Sequence, residues 1–105
     1  KLPHIGEYKF REPGIDQILS KAGYLQASLN ALDEKGQTEA GIVVVDDNPE
    51  HTKVLANVNN QRVMGYWLSY GKPWPAEQGP LPPNVAVVES LTRVYEDLAA
   101  RKEVA

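Results

Sequence analysis

The sequence predicts a small single α+β domain, two amphipathic helices packed on a short sheet and joined by a proline-rich connector. Three observations carry that expectation. Apolar residues recur at spacings of three and four from Ile15 to Leu32 and again from Val87 to Leu98, the period of a helix with one buried face. Gly41–Asp46 and Arg62–Tyr70 are rich in β-branched and aromatic residues, which suit strands. Between Gly71 and Asn84 stand Pro73, Pro75, Pro80, Pro82 and Pro83, a density that permits neither element, because proline fixes φ and removes a donor.

A chain of 105 residues is one domain's worth. At that size folding buries roughly two-thirds of the unfolded surface, enough for a single core. Residues 1–13 read as an extended N-terminal arm, since Pro3, Gly6 and Pro13 punctuate it while Tyr8 and Phe10 alternate with charges. Such an arm is expected to form a short edge strand or to dock on a neighbouring chain. Residues 14–105 form the globular domain.

The first helix is expected over Gly14–Lys35, with Asp16 in its first turn and Gly36 ending it. Ile15, Ile18, Ala22, Leu25, Leu29 and Leu32 form its seam. Gly41–Asp46 follows as a buried strand. Asn48 then caps a short helix that carries Val54, Leu55 and Val58, with Pro49 at its start. Arg62–Tyr70 reads as a second strand, and Asn59-Asn60 as the turn of a hairpin leading into it. The alternative makes residues 49–70 a third helix and the whole domain all-α. Asn84 is placed to cap a last helix over Asn84–Arg101, with Glu89–Arg93 and Asp97–Arg101 paired on its wet side.

Composition excludes several functions. Eleven Lys and Arg against 14 Asp and Glu leave a net charge of −3, too few clustered cations for a dedicated nucleic-acid binder. The absence of cysteine removes disulfides, thiolate metal sites and cysteine nucleophiles. His4 and His51 have no partner histidine at ligand spacing, so no metal site is expected. Ser20, Ser28, Ser69 and Ser90 lack the Gly-x-Ser-x-Gly elbow of a nucleophile. Gly65 and Gly71-Lys72 are spaced too far apart for a phosphate loop, and Pro73 stands where Ser or Thr would hold magnesium. Pro80 to Pro83 has the form of a Pro-x-x-Pro ligand without a flanking basic residue. No catalytic residue, cofactor or metal ligand is expected on these grounds.

Two stretches resemble known families. Tyr66-Trp67-Leu68-Ser69-Tyr70-Gly71-Lys72-Pro73-Trp74-Pro75-Ala76-Glu77, continuing through Pro80 to Pro82-Pro83, resembles a segment of virion structural proteins of tailed bacteriophages. The resemblance implies a non-enzymatic virion component that packs against copies of itself or against capsid or tail neighbours. Its anchors would be Tyr8, Phe10, Trp67, Tyr70, Trp74, Pro80, Pro82 and Pro83, because binding energy concentrates in buried aromatic residues. Protein partners in a virion are then expected, with no membrane, nucleic acid or small-molecule substrate. A small acidic regulator that binds a protein in the host cytoplasm is the alternative.

The second stretch, Ile42-Val43-Val44-Val45-Asp46-Asp47-Asn48-Pro49 through Leu55, resembles the first strand and turn of response-regulator receiver domains. That likeness implies a magnesium ion held by Asp46 and Asp47, since hard oxygen ligands at a strand's end suit this cation.

Overall fold

The computed structural model describes the backbone of His4–Ile5 and of residues 15–104, and side chains over 18–101. Tyr8 and Phe10 lie outside the described residues. The fold is a small α+β domain whose elements run β1 (His4–Ile5), α1 (Ile15–Glu34), β2 (Ile42–Asp46), α2 (Pro49–Ala56), β3 (Val63–Leu68), β4 (Val85–Val88) and α3 (Leu91–Val104). One 3₁₀ turn, Ala76–Gln78, interrupts the proline-rich connector. All described strands are parallel, in the order β1-β2-β3-β4.

Local signals explain the first half. Gly36 at φ 79° closes α1: its amide donates to Asp33 O and that of Gln37 to Leu32 O, which satisfies the carbonyls left open at the helix end. Asn48 accepts from the amides of Glu50 and His51, and Pro49 follows it, so α2 starts where the cap dictates.

The sheet is covered on both faces, which is why β2 is apolar at four successive positions rather than alternating. Ile42 and Val63 pack against Leu25 and Leu29 of α1 and Leu55 of α2. On the opposite face Val43 and Tyr66 meet Val94 and Leu98 of α3. Gly65 admits α2 closely: a Cβ there would stand 3.1 Å from Val85 Cγ2 and 3.6 Å from Thr52 Cγ2.

The strand expected over Arg62–Tyr70 is present as β3, so the all-α alternative falls, and three local expectations are corrected. Asn59-Asn60 is not a hairpin turn. β2 and β3 run parallel, so α2 must carry the chain back, and Asn59 instead accepts from the amides of Gln61 and Arg62. Val85–Val88 is a strand, not the start of the last helix. Three β-branched residues in four favour the sheet, and the Asn84 amide, rather than capping a helix, donates to both Ala56 O and Val63 O at 2.9 Å. Finally, Asp97–Arg101 forms as expected, but Arg93 pairs with Glu96 and not Glu89. Once residues 85–88 enter the sheet, Glu89 precedes α3 and is no longer one helical turn from Arg93.

Candidate functional site

Asp46 ends β2, and its carboxylate is drawn between two helices. Lys21 Nζ, from α1, lies 2.5 Å from Asp46 Oδ2 and 2.9 Å from His51 Nδ1 of α2. The other oxygen, Oδ1, accepts from the Asn48 amide at 2.9 Å. Lys21 only donates, so His51 Nδ1 accepts and carries no proton in this arrangement. The Asp46 side chain is 8% exposed and that of Lys21 17%, so the pair works in a poorly solvated setting. Asp47, the next residue, is exposed.

The pair borders a cavity of about 340 Å³, lined by Lys21, Tyr24 and Ser28 from α1, by Asp46 and Asp47, and by Tyr70 beyond β3. Apolar wall comes from β2 itself and from Leu25, Leu55 and Leu68. The carboxylates stand outside the carboxyl end of a parallel strand, where α/β sheets commonly bind ligands. Its size suits a small metabolite. Among the described residues no group of three or more His, Cys, Asp or Glu stands ready to enclose a metal ion. Neither β3 nor β4 ends in an aspartate, so among the described residues no strand-end acceptor for a phosphoryl group faces this pair.

Among the described residues, those expected to form an interface do not share one exposed face. Trp67 is a correction: it is 3% exposed, packs with Ala56 and Val85, and donates from Nε1 to Asp47 O at 3.0 Å. A ring so buried and satisfied belongs to the core. Trp74 meets it edge-on, with centroids 5.1 Å apart, and donates to Gly79 O. With Lys53 Nζ on Gln78 O, this folds the connector back onto its own domain. Pro80 and Pro83 are exposed and Pro82 half-buried, while Tyr70 lines the cavity.

Lys21 and His51 are the residues that sequence reasoning missed as partners of Asp46. A signal existed for Lys21, which falls three residues after Ile18 and four before Leu25, within the apolar seam of α1.

A second polar cluster sits on the other face. Tyr66 OH donates to Asp97, which also accepts from Arg101 Nε at 2.9 Å. Burial, reinforced by Asp97, pushes the Tyr66 hydroxyl up to about 12. The hydrogen bonds from Tyr66 and Arg101 hold Asp97 below the usual carboxylate range.

No family model, curated protein or solved structure matches this chain. Among the described residues no helix is long and apolar enough to cross a membrane.

Proposed function

We propose that this chain binds a phosphate-bearing small molecule together with a magnesium ion in the cleft at the carboxyl end of β2. The observation that carries the reading is the shielded Lys21–Asp46 pair in the lining of the cavity, with Asp47, the next residue, exposed. This departs from the expectation of protein partners alone.

Charge dictates the order of events. Asp46 and the exposed Asp47 put two negative charges at this end of β2 beside the Lys21 ammonium, which disfavours a lone phosphate. A magnesium ion reverses that balance. It favours one or two carboxylates plus phosphate oxygens and keeps several waters, so it does not need an enclosing cage. Asp47 would be its open ligand, and Asp46, held by Lys21 in the structure, would offer a second oxygen. Lys21 would serve a phosphate oxygen as a point charge.

Calorimetry with ribose phosphate tests this. Binding is expected with magnesium present and not without it, and Asp47→Asn should weaken it at least about tenfold, the loss of one charge-assisted contact. Equal affinity with and without magnesium would refute the reading.

The assembly reading has separate support in Val87, Leu91 and Tyr95, apolar side chains that stand 44%, 49% and 56% exposed. Light scattering tests it: a discrete closed oligomer is expected for a virion building block, and a monomer at every concentration would remove self-assembly.

A further inference from the structure

Two tyrosines flank the cavity, and neither is part of the core. Tyr24 is 43% exposed and Tyr70 66% exposed, and both line the same space as Lys21 and Asp46. Tyr70 is also held at φ 51°, the one described residue other than glycine in the left-handed region. A bulky aromatic residue adopts that conformation at a cost, and glycine would adopt it freely. Gly71 beside it has φ 83°, so the turn already has a glycine where the chain reverses. The exposed ring buries little in return for the strain at Tyr70. Its position instead places an aromatic side chain in the lining of the cavity.

We propose that the cavity takes a phosphorylated ligand that carries a planar ring, a nucleoside monophosphate being the class that fits, with the ring against Tyr70 and Tyr24 and the phosphate toward Lys21. This rests on the phosphate reading above and adds the ring. The cavity supplies what such a ligand needs. Its volume of about 340 Å³ accommodates a metabolite of that size, its wall is apolar along β2, and its charged groups gather at the Lys21–Asp46 side. Stacking on an aromatic face is tolerant of base identity, so the class is expected to bind with little preference among bases.

The test compares adenosine monophosphate with ribose phosphate by calorimetry in the presence of magnesium. Adenosine monophosphate is expected to bind roughly tenfold tighter, the effect of one aromatic stack. Tyr70→Gly removes the ring and the strain together. It should abolish that difference and unfold at no lower denaturant concentration than the parent. Tyr24→Ala should reduce the difference in the same direction. Equal affinities of the two ligands for the parent protein would overturn the ring proposal while leaving the phosphate reading intact. Binding of neither would overturn both.

Discussion

Each face of the sheet carries an aspartate paired with a cation, and the two pairs differ in what surrounds them. Asp46 is 8% exposed, shares Lys21 with a histidine from another helix, and borders a cavity. Asp97 is 38% exposed, and its partner Arg101 lies one turn along the same helix. The second arrangement is inexpensive, because water screens both charges and helical spacing brings them together. It fastens α3 to the sheet through Tyr66. The first draws an ammonium from α1 and a carboxylate from the end of β2 out of water, and a well-packed apolar pair would serve stability as well or better. An arrangement that stability does not require, placed at the end of a parallel strand, is the one to test for a ligand.

Mutation should separate the two pairs sharply. Asp46→Ala takes a shielded carboxylate away from the poorly solvated Lys21 ammonium and is expected to lower stability by about 3–5 kcal/mol in denaturant unfolding. Replacing both partners, Lys21→Met with Asp46→Leu, should recover most of that loss. A double variant no better than Asp46→Ala would mean that the geometry of the pair, not its charge, holds this end of the sheet.

Tyr66→Phe comes next. It removes the hydroxyl donor to Asp97 and should cost about 1 kcal/mol at neutral pH. Its pH dependence follows from the sign of each shift. The folded hydroxyl is raised from 10.0 to about 12, so its contribution is complete below pH 10 and is lost as pH rises toward 12. Asp97 is lowered, so its contribution is present above the unfolded carboxylate value and is lost as pH falls through the folded one. Unfolding curves of parent and Tyr66→Phe should therefore converge at both extremes. A constant gap across the whole range would contradict the hydrogen bond to Asp97.

The smallest effect belongs to Arg93→Ala. Its pair with Glu96 spans 3.4 Å between side chains 69% and 57% exposed, and the change is expected to stay within about 0.5 kcal/mol. A larger loss would assign Arg93 a packing role that its exposure does not indicate.

What the sequence discloses follows the range of the interaction. Gly36 closing α1, Asn48-Pro49 opening α2 and the apolar run of β2 are local, and each is readable within a few residues. Val85–Val88 is not, because its apolar spacing also matches a helix and Asn84 looks like a cap. What decides it is the alignment of β4 with Gly65–Leu68, contacts twenty residues away along the chain. The site is partly legible for the same reason. Asp46 and Asp47 announce themselves at the end of a strand, whereas Lys21 and His51 reach Asp46 only after α1 and α2 have packed on one face. Trp67 misleads because the resemblance marks it as an anchor, whereas its packing against Ala56 and Val85, with Trp74 edge-on, makes it core.

The most direct measurement is an amide-resolved NMR titration of the parent protein with ribose phosphate and magnesium. The account predicts saturable shifts at Ser28, Asp46, Asp47 and Tyr70 that require both components, with Val94 and Leu98 on the opposite face unmoved. No shift at the cavity at millimolar ligand, or shifts centred on α3 instead, would contradict it.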